Sequence, residues 1–100
     1  MNYFSCYDIS DDKSRRPVSR YLEKAGLHRI QKSIFFGKAS SKKERNHIVK
    51  KVASFMTEEA YFDDSIILLP IDTPALTSIE IFGENQQLKK YATTHFTQYF

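Results

Sequence analysis

The hydrophobic spacing of this chain changes from a strand-like period to a helix-like period within the first 26 residues, and this change is the strongest constraint on its fold. Residues 2–9 are rich in aromatic side chains with rough alternation, which is typical of a strand. Residues 13–25 carry apolar side chains at helical spacing, and Gly26 supplies a stop. These apolar residues are Val18, Tyr21, Leu22 and Ala25. The chain is therefore expected to begin with a strand and then a helix.

The same alternation repeats in the middle of the chain. Residues 27–37 mix apolar, polar and aromatic side chains and end at Gly37, which indicates a second strand. Ser41 and Glu44 have the spacing of a capping box, in which two side chains bond to free amides at a helix start. One face of the predicted second helix carries Ile48, Val52, Phe55 and Met56.

The second half of the chain predicts two more strands. An acidic loop is expected over residues 57–64. Residues 65–71 read SIILLPI, a continuous apolar run that predicts a strand buried on both faces. A turn is expected over residues 72–75, followed by an alternating, half-exposed strand over residues 77–82 that stops at Gly83.

These elements fit one compact domain in 100 residues. The predicted order is β-α-β-α-β-β, which favours an α+β sandwich with both helices on one face of a sheet. Residues 84–100 fit a helix in their first part and a strand in their last, so they are treated as a separate tail beyond a domain of residues 1–83. Because a chain this short buries a small share of its surface, pairing with a second copy is expected.

Charge is strongly segregated along the chain. Residues 1–51 carry 13 lysines and arginines against five acids, a net charge of +8, whereas residues 52–100 carry two against seven, a net charge of −5. Lysines and arginines that neutralise phosphates release condensed counterions and so gain affinity. A basic face for a polyanion and two merely well-solvated helices are both consistent with this pattern.

The sequence argues against several classes of protein. No apolar stretch reaches 18 residues and no signal peptide precedes the first strand, so a cytoplasmic protein without a membrane segment is expected. Cys6 has no second cysteine with which to form an internal disulfide. No histidine has a partner at a metal-ligand or catalytic spacing, and the sequence holds no glycine-rich phosphate loop or nucleophile elbow.

Three carboxylates cluster where the first strand gives way to the first helix. Strand alternation directs Asp8 to the same side as Cys6 and opposite to Tyr7, at the rim of the sheet. A carboxylate there is suited to Mg²⁺, which often takes one or two protein carboxylates beside substrate phosphates. Asp11 and Asp12 have a structural explanation, because acids in a first turn complement the helix dipole. For Asp8 the sequence leaves both interpretations open.

Cations lie close to this cluster in sequence. Arg15 and Arg16 could clamp a phosphate through their planar guanidinium groups, and Arg29 with Lys32 lies in the next predicted strand. Each of these residues taken alone is ordinary surface charge. Together with the segregation of charge, they form a candidate phosphate-binding set.

Two blocks of the sequence resemble a known family. Residues 7–13 read YDISDDK, Arg15 follows, and residues 26–37 read GLHRIQKSIFFG. This arrangement is similar to the signature of the CRISPR-associated protein two family, the small spacer-acquisition proteins. The resemblance covers roughly the first two-fifths of the chain, and the later segments SIILLPI and IEIFG are similar in character.

The resemblance implies a ferredoxin-like subunit that forms a symmetric homodimer, its tail strand completing a sheet with the partner subunit. It also implies that the dimer bridges CRISPR-associated integrase dimers and binds double-stranded DNA, while some members are described as metal-dependent nucleases of RNA or DNA. Carried over by position, Asp8 is the metal-binding and catalytic carboxylate, with Mg²⁺ as the expected ion. The residues expected around it or along the nucleic acid are Tyr7, Arg15, Arg16, Arg29, Lys32, Phe35, Lys38, Lys42 and Lys43.

Three functions follow, in order of preference. The first is a scaffold that holds duplex DNA by its phosphates without reading base sequence. The second is hydrolysis of a phosphodiester bond by a metal ion held between two Asp8 carboxylates across a dimer axis. The third is a regulatory or toxin-like ferredoxin-fold module that binds no nucleic acid.

Overall fold

A computed structural model describes residues 2–56, 64–91 and 97–99 of the chain. The described strands are β1 (Asn2–Asp8), β2 (His28–Gln31), β3 (Ile34–Lys38), β4 (Ser65–Ile71), β5 (Glu80–Phe82) and β6 (Thr97–Tyr99). The described helices are α1 (Asp12–Lys24), α2 (Lys42–Phe55), α3 (Thr73–Thr77) and α4 (Gln86–Tyr91). The elements from β1 to β4 follow the order βαββαβ.

The first four strands form one antiparallel sheet in the order β2-β3-β1-β4. This order, with two helices crossing between strands, is that of a ferredoxin-like sandwich and confirms the predicted fold class. The single strand predicted over residues 27–37 was wrong, because the chain turns at Lys32 and Ser33 and pairs β2 with β3 as a hairpin. The turn contains no glycine, proline or asparagine, so the residues that most strongly predict a turn are missing from it.

Helices α1 and α2 pack together on one face of the sheet, as predicted. Alternate residues of β1 point towards them, including Tyr7, and β3 contributes Phe35. The core between the helices and the sheet consists of Tyr7, Ile9, Val18, Leu22, Leu27, Phe35, Ile48 and Val52. Tyr7 and Ile9 anchor the end of β1 in this layer and so fix the position of Asp8 between them.

The segment after β4 covers part of the opposite face of the sheet. A second core forms there from Ile30, Phe36, Leu76, Ile81 and Leu88. Asn85 anchors this segment, because its Nδ2 donates to the Ile30 carbonyl at 3.0 Å while its Oδ1 accepts from the Leu88 amide at 2.9 Å. The sheet therefore has helices on both faces.

Three expectations for this segment need correction or refinement. The turn predicted over residues 72–75 is the start of α3, because Asp72 caps its first turn by accepting from the Ala75 amide at 2.9 Å. The strand predicted over residues 77–82 is shorter, and β5 pairs in parallel with β6 in a separate two-stranded sheet. The ambiguous tail contains both a helix, α4, and a strand, β6.

Strand β4 is not buried on both faces, which corrects the prediction from its apolar run. It lies at an edge of the sheet, beside β1. Ile66 and Leu68 pack against the helix-side core, whereas Ile67 and Leu69 are 58% and 52% exposed on the other face. The apolar run therefore supplies one half-buried row and one exposed row of side chains.

Between α2 and β4, the described chain begins again at Asp64. The acidic loop predicted over residues 57–64 lies, apart from Asp64, outside the described residues. Within the described ranges, no helix has both the length and the apolar character needed to span a membrane.

Candidate nucleic-acid interface

Asp8 ends β1 and is exposed, on the face of the sheet that α1 and α2 do not cover. It pairs with Ser65 of β4, and the row beside it on that face pairs Cys6 with Ile67. Tyr7 points the other way and is buried, as strand alternation predicted. Desolvation raises the pKa of the Cys6 thiol above its ordinary value, which keeps it protonated and apolar in character at neutral pH. Asp8 thus lies at the end of a row of largely apolar side chains on this face of the sheet.

Two further segments of the chain converge on this end of the sheet. The Tyr7 amide donates to the Ser33 carbonyl at 3.1 Å, which holds the β2-β3 turn beside the end of β1. The Ser10 amide donates to Asp64 Oδ1 at 2.9 Å, which ties the loop after β1 to the start of β4. No three metal-ligating side chains come together among the described residues. Asp8 of one chain is therefore a single carboxylate donor rather than a complete metal site.

Arg15 and Arg16 converge on one carboxylate in the first turns of α1. Arg15 Nη2 lies 3.1 Å from Asp12 Oδ1, and Arg16 Nη2 lies 2.8 Å from Asp12 Oδ2. The hydrogen bond from Arg15, followed by the charge of Arg16, holds the pKa of the Asp12 carboxyl below its usual value. Asp12 was predicted to serve the helix dipole, and it also forms ion pairs with both arginines.

Arg29, on the edge strand β2, lies over the aromatic ring of Phe35 on the neighbouring strand β3. Its guanidinium carbon is 5.2 Å from the centroid of the Phe35 ring, and its Nη2 is 4.0 Å from Glu23 Oε1. Phe35 itself has no exposed surface, and Tyr7 retains only 8%. The sequence-based assignment of Phe35 and Tyr7 to direct contact with nucleic acid is therefore corrected: their rings belong to the core, and Phe35 supports Arg29 from below.

The remaining predicted cations divide between the two ends of the sheet. Lys32 lies in the β2-β3 turn, at the same end as Asp8. Lys38 pairs with Asn2 at the opposite end, about 20 Å away for six residues of extended chain. Lys42 and Lys43 begin α2 shortly after Lys38. Lys32 therefore lies at the same end of the sheet as Asp8, Arg15 and Arg16 lie in the first turns of the helix that follows Asp8, and Lys38, Lys42 and Lys43 are grouped at the other end.

Helix α2 presents the most strongly basic surface of the described chain. Its five lysines and arginines are all exposed: Lys42, Lys43, Arg45, Lys50 and Lys51. Its one acid, Glu44, is engaged by the amide of Ser40 at 3.0 Å and by the Ser40 hydroxyl. Site assignment from the sequence missed Arg45, Lys50 and Lys51, although the basic run over residues 42–51 was a usable signal.

A groove between the two helices extends this basic surface. It is lined by residues of α1 and α2 that include Lys24, His47 and Lys51. Tyr21 lies at its floor, with its ring 6.0 Å from that of Phe55, and Lys51 Nζ lies 5.4 Å from the Phe55 ring centroid. The positive charge of the first half of the chain is thus concentrated on the outer side of the helix layer.

The chain is a small ferredoxin-like α+β protein. Its helix layer is strongly basic, and one exposed carboxylate, Asp8, lies at an end of its sheet. The model of the family described as CRISPR associated protein Cas2 matches residues 1–79. The chain belongs to this family, which confirms the resemblance drawn from its motifs. Membership assigns it a role in CRISPR systems.

Similar proteins support this assignment. The chain is 35% identical over 97 residues to the CRISPR-associated endoribonuclease Cas2 1 of Archaeoglobus fulgidus, covering 96% of this chain and 99% of that one. It is 33% identical over 82 residues to the CRISPR-associated endoribonuclease Cas2 3 of Synechocystis, covering 82% and 84%. Both relatives match over most of their length.

A solved structure matches the fold. The crystal structure of the hypothetical protein TT1823 from Thermus thermophilus superposes with a TM-score of 0.66, covering 84% of this chain and 92% of that one. At 20% sequence identity, this likeness concerns the fold alone.

Proposed function

We propose that the protein acts in CRISPR adaptation as a homodimer that binds double-stranded DNA without sequence preference and bridges integrase dimers. The observation that carries the DNA-binding part is the surface of α2, with five exposed cations and one acid already engaged by Ser40. Exposed lysines and arginines bind phosphate oxygens without reading bases, so such a surface suits a duplex of any sequence.

The dimer is supported by the uncovered face of the sheet, which here means the part opposite α1 and α2 that the C-terminal segment leaves exposed beside β4. Ile67 and Leu69 project from an edge strand onto a face where they are more than half exposed. A second copy that covered this face would remove apolar area from water and bring its own Asp8 towards the same boundary. The helix layers of both copies would then face outwards, and their basic surfaces would remain available to DNA.

Salt dependence of binding tests the DNA-binding part. Affinity for a labelled duplex of about 30 base pairs should fall linearly on a logarithmic salt scale, with a slope near −0.9 for each phosphate neutralised. Two duplexes of unrelated sequence should bind equally. An affinity that does not respond to salt, or a strong preference between the duplexes, would contradict the proposal.

One substitution and its control locate the surface. Lys43→Gln should reduce the magnitude of the salt slope by about one per chain if the lysine contacts a phosphate. Lys90→Gln removes the same charge from the acidic half of the chain and should leave the slope unchanged. Equal effects of the two substitutions would mean that net charge, rather than the surface of α2, governs binding.

Bridging requires its own measurement. The homodimer and a CRISPR-associated integrase from the same system should form a complex in which each copy of this protein contacts one integrase dimer. Analytical ultracentrifugation of the mixture should give a species heavier than either component. Two separate species at micromolar concentration would exclude the bridging role while leaving DNA binding intact.

A second candidate function is endonuclease activity at Asp8. It is favoured by the exposed position of Asp8 at the end of the uncovered face and by the names of the two relatives, which call them endoribonucleases. One carboxylate does not complete a metal site, but two Asp8 side chains in a dimer would suit Mg²⁺, which tolerates few protein ligands. Bound Mg²⁺ would supply Lewis-acid activation of the phosphodiester.

Asp8→Asn tests this function against a matched control. Cleavage of RNA and DNA that depends on Mg²⁺ should disappear in Asp8→Asn and persist in Asp11→Asn, because the Asp11 side chain makes no capping bond to α1 and asparagine can still accept from the Ser14 hydroxyl. Equal cleavage by both variants and the wild type would assign the activity to another site or to a contaminant.

A further inference from the structure

The Asp12 carboxylate occupies the guanidinium groups of two neighbouring arginines at once. Each of its oxygens contacts a different arginine, Arg15 at 3.1 Å and Arg16 at 2.8 Å. All three side chains are accessible to solvent, with exposures of 58% for Asp12, 37% for Arg15 and 64% for Arg16. The cluster is therefore a surface feature that a ligand can reach.

A carboxylate and a phosphodiester make the same kind of bond to arginine. Both present two oxygens that share a negative charge, and the planar guanidinium donates to either of them. Asp12 holds Nη2 of each arginine, so a backbone phosphate that bound both arginines at this point would compete with Asp12 for those two donors. No described acid lies within ion-pair distance of Lys42 or Lys43, so the cations of α2 face no such competitor within the described chain.

We propose that Asp12 is an internal competitor for phosphate, which engages Arg15 and Arg16 and offsets part of their charge until a polyanion held elsewhere on the protein displaces it. This inference rests on the proposed binding of DNA. A mononucleotide or a short oligonucleotide must then displace Asp12 with little other contact, whereas a continuous duplex already bound along α2 presents a phosphate at high local concentration. Asp12 thus favours long duplexes over isolated phosphates.

Exposed ion pairs are weak, so the expected effect is modest and measurable. Asp12→Asn should bind a duplex of about 30 base pairs roughly two- to fivefold more tightly than the wild type, since each exposed pair contributes little. The gain for a single nucleotide should be larger than the gain for the duplex, so preference for the long duplex should decrease. Glu80→Gln removes one exposed acid from β5, which provides the matched charge control.

A double-mutant cycle identifies the contact responsible. In an Arg15→Gln, Arg16→Gln background, Asp12→Asn should change affinity no more than Glu80→Gln does. Weaker binding by Asp12→Asn in the native background would show that Asp12 positions the arginines, and an effect equal to that of Glu80→Gln would reduce it to net charge. Either result overturns the inference. Circular dichroism and urea unfolding verify that each variant is folded.

Failure of the proposed function can be told apart from failure of this inference. If the wild type ignores duplex DNA at every salt concentration, the proposed function fails. Inorganic phosphate is then titrated while the NMR resonances of the Arg15 and Arg16 Nε–H groups are followed. Asp12→Asn should respond at a lower phosphate concentration than the wild type, and identical titrations would overturn the inference.

Discussion

Leu27 lies so close to Gly37 that β3 has no room for a side chain at this position. A Cβ on Gly37 would come within 2.8 Å of Leu27 Cγ and 2.9 Å of Leu27 Cα. One of these atoms belongs to the backbone, so the contact cannot be relieved by rotating a side chain. The start of β2 and the end of β3 therefore depend on glycine for their close approach.

Gly37→Ala is predicted to lower the free energy of unfolding by about 1–3 kcal/mol, because the added methyl group overpacks a buried position. Urea unfolding followed by circular dichroism measures the change. Gly26→Asn provides a contrast, since no atom lies near the Cβ position of Gly26 and any cost there comes from the backbone φ of 96° instead of from overpacking. A Gly37→Ala variant as stable as the wild type would contradict the close packing.

Phe35→Ala is predicted to cost about 3–5 kcal/mol of unfolding free energy, because the ring is fully buried between the helices and the sheet. Arg29→Gln removes only the exposed partner of this ring and should cost roughly 1 kcal/mol or less. Arg29→Gln should weaken binding of duplex DNA in the folded protein. A Phe35→Ala variant that is stable but binds DNA more weakly would instead support direct contact between Phe35 and DNA.

Ile67→Lys is predicted to convert the proposed dimer to a monomer of 11.7 kDa, because a charge on the uncovered sheet face cannot be buried without a partner. Light scattering measures the mass. Val49→Lys makes the same change at a position that is 39% exposed on α2 and should leave the mass of the dimer unaltered. If the dimer persists in Ile67→Lys and dissociates in Val49→Lys, the interface lies on the helix layer and the prediction is wrong.

The stability of the protein is predicted to fall in acid partly through Glu44. Hydrogen bonds from the side chain and the backbone amide of Ser40 lower the pKa of the Glu44 carboxyl below its ordinary value of 4.5. The stabilisation is thus fully present above pH 4.5 and is lost as the pH falls through the lowered pKa. Glu44→Gln should flatten the decline in unfolding free energy below pH 4.5, as measured by urea unfolding at a series of pH values.

The sequence predicted the helix layer well because its signals are local. The capping box was confirmed in part: Ser41 Oγ accepts from the Glu44 amide at 3.1 Å, and the Glu44 carboxylate reaches Ser40 instead of the Ser41 amide. The side of the sheet on which Asp8 lies also followed from simple alternation along β1. Both predictions needed only the spacing of neighbouring residues.

Longer-range relationships were beyond the sequence. The run SIILLPI predicted a strand buried on both faces, but composition does not reveal that β4 lies at an edge. The motif around Phe35 marked a conspicuous residue without distinguishing a ligand contact from a core position. The pairing of Arg15 and Arg16 with Asp12 has the i,i+3 and i,i+4 spacing of helix neighbours, a local signal that the sequence interpretation did not use.

The anchoring of the C-terminal segment by Asn85 has an evolutionary consequence. The family match ends at residue 79, and the Asn85 amide joins the segment beyond it to the Ile30 carbonyl of β2. Ile81 and Leu88 of that segment also share a buried cluster with Ile30 and Phe36 of the sheet. The bond from Asn85 places no demand on the side chains of β2, whereas the cluster does. Changes in the C-terminal segment are thus expected to be inherited together with compensating changes at Ile30 and Phe36.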